Sequence, residues 1–198
     1  MGMDSFPEAI QLRDFWGLII TPLQAEDSAA LQDFYRRMPE EDRQFMRDDV
    51  ISGDWPAYFQ RKLGDQGIVS LVAKADNEVV GEATLYRTLH GWTRHVGELR
   101  VSVDPGLRKK GLGTALCSSL VKVATDLGIE KIIVHVVDNQ GPARRTFEKL
   151  GFKKEAVLPH HVMDISGTKR DLLVLANDVD QIWAAMEVMN QDYAPHLT

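Results

Sequence analysis

Three residues at close spacing, Arg108, Gly111 and Gly113, carry the clearest chemistry in this chain of 198 residues. They sit in the segment Leu99-Arg-Val-Ser-Val-Asp-Pro-Gly-Leu-Arg-Lys-Lys-Gly-Leu-Gly-Thr-Ala-Leu116. Leu99, Val101 and Val103 alternate with Arg100 and Ser102, the period-2 pattern of a half-buried strand. Asp104-Pro105-Gly106 ends that strand with turn chemistry. Leu112, Leu116, Leu120, Val123 and Leu127 then recur at helical spacing until Gly128. The first turn of a helix leaves backbone N–H groups without intrahelical partners and lies at the positive end of the dipole, so it favours an anion. Gly111 and Gly113 let an anion approach the backbone, Leu112 and Thr114 fall in the same turn, and Arg108, Lys109 and Lys110 add positive charge. The segment is built to hold a phosphate group.

This physics leaves the bearer of that phosphate open. A P-loop needs Lys after its last Gly, and Thr114 follows Gly113. The dinucleotide fingerprint needs a third Gly, and Leu116 occupies its place. An ordinary strand–turn–helix with a solvated basic turn also stays open. The segment resembles the acyl-CoA-binding motif of the GNAT acetyltransferase superfamily, Arg/Gln-x-x-Gly-x-Gly/Ala after a strand ending near Val-x-Pro. Here Arg108, Gly111 and Gly113 meet that motif, with Val103 and Pro105 before them.

Downstream, Lys131–Val137 is a short β-branched run of strand length, broken by Asp138-Asn-Gln-Gly-Pro142. Pro142 suits the first turn of a helix carrying Ala143, Phe147 and Leu150, which Gly151 ends before Phe152 opens another extended segment. Asn139…Ala143-x-x-x-Phe147-x-x-x-Gly151-Phe152 resembles the second GNAT signature, Asn-x-x-Ala-x-x-x-Tyr-x-Lys-x-Gly-Phe. It departs from that signature twice. An extra residue separates Asn139 from Ala143, which puts the contact of Asn139 with a pantetheine arm in doubt. Phe147 replaces the Tyr that in many GNAT enzymes protonates the departing thiolate, and Phe has no proton to give. Either another group or water serves, or the thiolate leaves unassisted, its pKa of roughly 8.5 making it a tolerable leaving group.

The resemblance implies acetyl-CoA as co-substrate, a direct attack by a primary amine, and no covalent enzyme intermediate. It implies two strands that part and expose backbone groups of Val101 and Val103 to the pantetheine, with the N–H near Val101 polarising the thioester. Ser102, the turn residues from Arg108 to Thr114, Asn139, Ala143 and Phe147 complete the cofactor site that the resemblance implies. The attacking amine must be neutral, so a base or water chain removes its proton. Glu98, on the strand face of Arg100 and Ser102, matches a Glu found five residues before the last strand Val in the protein lysine acetyltransferase group. A Glu paired to Arg100 or merely solvated is the alternative, and Glu82 on the preceding strand is the reserve. The six histidines show no metal-ligand spacing, so no metal is expected. His135 alternates in a strand, and His160-His161 are available to line an acceptor cleft.

The remaining sequence supplies elements to position these groups. Ile10–Leu12 and Leu18–Thr21 read as strands around Arg13-Asp14. A helix carries Leu31, Phe34 and Tyr35, a second opens at Pro39 and runs through Phe45 and Met46, and Ala57–Leu63 is a third helical piece. Strands over 67–73 and 78–86 meet at Asp76-Asn77, a hairpin signal, and another strand runs from Thr93 to Val103. This order resembles the GNAT fold, an α/β (α+β) architecture with a mixed, mostly antiparallel sheet of about seven strands flanked by helices. The resemblance covers about residues 10–176. The opening from Leu12 to Arg37 is similar to bacterial protein lysine acetyltransferases in particular. The chain is expected to form one acetyltransferase domain over 1–176. A helical tail over 177–198, with Ile182, Trp183, Met186 and Met189 at helical spacing, is expected to pack on it or at a homodimer contact, a lid over the acceptor being the other option.

Composition limits the classes. The hydrophobic fraction is 44% and the formal net charge is −6. Residues 100–154 hold 11 Lys+Arg against 5 Asp+Glu, while residues 1–99 hold 10 against 17 and residues 155–198 hold 2 against 7. Positive charge thus gathers on the phosphate-binding segments, and the acidic remainder argues against general nucleic-acid binding. That acidity suits a cationic amine by electrostatic focusing, or serves only solubility. No apolar run reaches the roughly 18–20 residues that span a bilayer. No signal peptide or myristoylation pattern is evident, and the single Cys117, read as a packing residue, fits a reducing cytoplasm. The reading is an N-acetyltransferase whose acceptor is a small-molecule amine, a protein lysine or an N-terminal amine. A non-catalytic acyl-CoA-binding or regulatory module and a nucleotide-binding protein are the contrasting readings.

Overall fold

The strand and helix periods of the sequence produce, in chain order, β1 (Glu8–Leu12), β2 (Phe15–Pro22), α1 (Ser28–Arg37), α2 (Glu40–Arg43), α3 (Trp55–Gly64), β3 (Ile68–Ala75) and β4 (Glu78–Arg87). They continue as β5 (Val96–Val103), α4 (Leu112–Asp126), β6 (Lys131–Val137), α5 (Gly141–Lys149), β7 (Lys153–Met163), β8 (Lys169–Asp178) and α6 (Val179–Tyr193). This computed structural model describes residues 6–12, 15–46, 48–51 and 53–193. Arg13-Asp14, read as the turn between the first strands, and the side chain of Met189 lie outside the described residues.

The strands form one sheet in the order β1-β2-β3-β4-β5-β6-β8-β7. Every neighbouring pair is antiparallel except β5–β6, which is parallel and joined by the α4 crossover. The fold is the expected mixed α/β one, with eight strands in place of about seven. The additional strand is β1, added outside β2 and tied to α4 through Glu8, which accepts hydrogen bonds from Ser119 Oγ at 2.7 Å and Lys122 Nζ at 2.9 Å.

Alternation sends two sets of side chains to two faces. Ile20, Leu71, Ala83, Leu85, Leu99, Ile132, Val134 and Leu175 pack against Leu116 and Leu120 of α4, Phe147 and Leu150 of α5, and Ile182 and Met186 of α6. Cys117 lies in this core, and burial pushes its thiol up to about 12, so it packs as a neutral side chain. The tail helix is anchored by the same core and by Trp183 Nε1, which donates to Thr125 Oγ1 at 3.1 Å. On the other face Val72 and Val79 meet Leu31, Phe34 and Tyr35 of α1 and Phe59 of α3.

Two helix boundaries differ from the sequence reading. The helix expected through Phe45 and Met46 stops at Arg43. Phe45 and Met46 instead bond back three residues, their N–H groups reaching the carbonyls of Asp42 and Arg43, a tight turn that does not propagate an α-helix. The third helix starts two residues early, at Trp55, because Asp54 caps it by accepting the Ala57 N–H at 3.1 Å and Pro56 sits in its first turn.

Leu116 is fully buried between α4 and the strands, and its Cδ1 lies where a side chain on Gly81 would begin. Leu116→Ala therefore opens a cavity at the centre of the larger core. The expected loss is about 2–5 kcal/mol, read as a lowered urea midpoint with an unchanged slope.

Candidate functional site

Strand β5 hydrogen-bonds β4 along its whole length, to the pair Gly81↔Val103. Its partnership with β6 is brief: Val96↔Lys131, Gly97↔Ile132 and Glu98↔Ile133, and then the two strands part among the described residues. The sheet is thus split from Leu99 and Val134 onward. On the α1/α3 side this split opens into a cleft of about 460 Å³. Its floor holds Glu98 and Arg100 from β5, His135 and Val137 from β6 and Leu172 from β8. Gln44, Phe45 and Met46 form one wall, and His161, Val162 and Met163 of β7 form the other. The walls meet where Gln44 Oε1 accepts the Ile165 N–H at 3.0 Å.

At the Val103 end of β5 the chain enters the basic turn. Asp104 organises it by accepting the Gly106 N–H at 2.9 Å. Lys109 and Gly111 both take positive φ, 61° and 100°, and swing the backbone into α4. The first backbone bond of α4 runs from the Ala115 N–H to the Gly111 carbonyl, which leaves the amides of Leu112, Gly113 and Thr114 directed out of the helix end. Arg108 and Lys109 are exposed and Lys110 is half-buried. Arg108 is not idle: its Nη2 lies 2.7 Å from Asp42 Oδ2 of α2, and its Nε donates to the Val103 carbonyl at 3.3 Å.

The structure places the other sequence candidates unevenly. Val101, Ser102 and Val103 lie on β5 beyond the split, between the cleft and the basic turn. Asn139 and Ala143 are exposed, and it is Gln140 that lines the cleft while its Oε1 accepts the Val137 N–H at 3.0 Å. Phe147 is buried against Phe152 with ring centroids 5.5 Å apart, inside the apolar core. Glu98 lines the cleft in ion pairs. Arg100 reaches its Oε1 through Nε at 2.7 Å and Nη2 at 2.6 Å, and His135 Nδ1 lies 3.3 Å from the same oxygen. Burial pushes the Glu98 carboxyl up, but the bond from His135 and the charge and bonds of Arg100 outweigh it and hold the group at about 2. A carboxylate so engaged is a weak proton acceptor.

Glu82 sits in a different environment. It is buried, bonded by the Tyr35 hydroxyl and paired with Lys62 Nζ at 2.9 Å, and it is absent from the cleft lining. Lys62 also donates to Thr84 Oγ1 at 2.9 Å, and Thr84 is bonded to Ser70 at 3.0 Å. Burial lowers the pKa of Lys62, yet the Glu82 carboxylate more than offsets this and holds it above its ordinary value. This network joins α1 and α3 to β3 and β4 and does structural work. The pairing of Glu98 with Arg100, offered by the sequence as the alternative to a base, is present. The residues that sequence reasoning did not single out are His135 as a further partner of Glu98, and Gln44, Phe45, Met46 and Met163 as walls. Among the described residues no group of three or more His, Cys, Asp or Glu could hold a metal ion, and no helix is long and apolar enough to cross a membrane.

Residues 28–152, which span the α1 side, the split strands and the basic turn, match the Acetyltransferase (GNAT) family. The chain belongs to the GNAT acetyltransferase family. It is 30% identical over 125 residues to an N-alpha-acetyltransferase of Saccharolobus solfataricus, an overlap covering 58% of this chain and 75% of that one. It is 29% identical over 99 residues to the L-amino acid N-acetyltransferase AaaT of Escherichia coli, covering 49% of this chain and 61% of the relative. The GNAT fold is seen again in yncA from Salmonella typhimurium, solved with its cofactor acetyl-CoA. That structure is similar with a TM-score of 0.66 at 23% identity, over 83% of this chain and 95% of that one.

Two outcomes follow from the buried charges. Lys62→Ala leaves Glu82 buried without its cation and should cost about 3–5 kcal/mol in chemical unfolding. Glu98, with its carboxyl held below the ordinary 4.5, contributes stability that is present above about pH 4.5 and lost as pH falls toward 2. Wild type should therefore lose of the order of 2 kcal/mol more than Glu98→Gln between pH 6 and pH 3, measured by urea unfolding at each pH.

Proposed function

We propose that this GNAT protein is an N-acetyltransferase that moves an acetyl group from acetyl-CoA to a primary amine by direct attack. The observation that carries this reading is the split between β5 and β6. The β5–β6 pairing ends at Glu98, beside the polar cleft, and the freed stretch of β5 leads through the basic turn into the cationic helix start at Gly111. A long ligand with a phosphate at one end and a reactive thioester at the other suits that path. The yncA structure with acetyl-CoA supports the choice of ligand.

The residues present fit such a co-substrate. The outward amides of Leu112, Gly113 and Thr114, with Arg108, Lys109 and Lys110, would hold its diphosphate. The edge of β5 that β6 leaves at Val101, Ser102 and Val103 would bond the amide-bearing arm, and a backbone N–H there would polarise the thioester carbonyl. When bound, acetyl-CoA supplies the activated acetyl group. Arg108 must then exchange Asp42 for phosphate. Asn139 and Ala143, both exposed, are open to the same ligand. Phe147 contributes shape alone.

The acceptor enters from the cleft between Phe45, Met46 and Met163. Its class is a primary amine on a small molecule, on an amino acid or at a polypeptide N-terminus or lysine. The names of the relatives, an L-amino acid N-acetyltransferase and an N-alpha-acetyltransferase, support that range.

Calorimetric titration with acetyl-CoA, followed by thiol-release assays on an amine panel, tests the proposal. Wild type should bind with micromolar affinity. Gly113→Ala should bind alike, because a Cβ there meets only the Val103 methyl at an ordinary 3.6 Å. Gly113→Trp should weaken binding at least tenfold by filling the phosphate approach. Folded wild type that binds no acetyl-CoA would refute the reading, and tight binding without transfer to any amine would favour the non-catalytic alternative.

A further inference from the structure

We infer that His135 is the proton acceptor of the cleft and that Glu98 is the residue that positions it. This rests on the acetyltransferase reading above and assigns the base within it. His135 lies two residues past Ile133, the last β6 residue paired with β5. Alternation puts it on the same face as Glu98 and Arg100, where the strands have already parted. Its side chain is 26% exposed, enough to meet an acceptor entering the cleft it lines.

Its orientation is fixed by Glu98. The Glu98 carboxylate lies 3.3 Å from Nδ1, a position that favours the tautomer with its proton on Nδ1. Neutral imidazole then carries its lone pair on Nε2. None of the described residues bonds Nε2. Arg100 grips the same Glu98 oxygen from the other side. It keeps Glu98 ionised, so Glu98 holds the imidazole and does not take the substrate proton. This is the carboxylate–histidine arrangement that many hydrolases use to orient a base. The described groups facing His135 are Glu98 and Arg100 on β5, His161 on β7, the uncharged Gln44, Phe45 and Met46, and the apolar Leu172 and Val174 of β8.

The same histidine answers the loss of a hydroxyl at Phe147. During transfer the amine nitrogen bonds to the acetyl carbon and the carbon–sulfur bond breaks. Nε2 takes the proton that the nitrogen sheds, and the imidazolium returns it to the departing sulfur. One proton moves from nitrogen to sulfur and His135 ends as it began. An acceptor that arrives as ammonium loses its first proton to solvent.

Nitrogen-15 NMR of labelled protein reads the tautomer independently of catalysis. Neutral His135 should carry its proton on Nδ1 in wild type, and that preference should be lost in Glu98→Gln, whose amide can donate to Nδ1. On an amine that wild type acetylates, His135→Ala should lower kcat about 100-fold or more with the KM for acetyl-CoA within twofold. It should also regain part of the rate with added imidazole. Glu98→Gln should lose about 10–100-fold. A proton on Nε2, or a folded His135→Ala that keeps its rate within threefold, overturns the assignment while leaving the acetyltransferase standing. A wild type that binds acetyl-CoA and acetylates nothing sinks both.

Discussion

The parallel contact between β5 and β6 ends after Glu98↔Ile133, and most of what this molecule presents to its surroundings follows from that ending. One edge of β5 stays locked to β4 as far as Val103, so the strand cannot follow β6 as it turns away with β8. Parallel strands need a crossover, and α4 supplies it, starting beside the end of β5 and packing back across β4 and β5. The helix start and the open strand edge are therefore neighbours by construction. Backbone groups on that edge require partners from outside the sheet.

The opposite requirement holds a few residues away, where β4 carries Glu82 and Thr84 under α1 and α3. Here every polar group named is satisfied internally, by Lys62, Tyr35, Tyr58 and Ser70. A buried ion pair gives little net stability over well-packed apolar residues, but losing one member is costly. The network thus fixes the relation of the two helices to the strands while the cleft beside it stays accessible. Two carboxylates on adjacent strands, Glu82 and Glu98, end with different duties because one is enclosed on all sides and the other lies at the mouth of the split.

Legibility in the sequence tracks how local the cause is. The strand of Leu99 to Val103, the glycine turn, the long helix and β6 could be read because alternation, turn residues and helical spacing act over a few neighbours. Lys131–Val137 has the same limits in sequence and structure. The failures are non-local. Phe45 and Met46 carry helical spacing, yet their side chains serve the cleft, and Gln44 bonds a hairpin 121 residues away. One partner of Glu98 was legible and the other hidden: Arg100 is two residues off on the same strand face, but His135 arrives from another strand through a register that no spacing encodes. Glu82 looked like Glu98 on paper, since burial of a charged group depends on Lys62 from a distant helix. The extra strand β1 was visible as an apolar run, while its place beyond β2 depends on Glu8 reaching α4.

The ion pair between Asp42 and Arg108 gives the basic turn a resident counter-ion. If Arg108 serves phosphate, every incoming anion competes with a carboxylate that is already in place, tethered and at high effective concentration. Chloride or a stray carboxylate, singly charged and weakly held, gains little by the exchange. A diphosphate, engaging the arginine, two lysines and a helix end together, gains much more. Asp42 belongs to the segment that continues into Gln44, Phe45 and Met46, so the partner of Arg108 and the wall of the cleft share one stretch of chain.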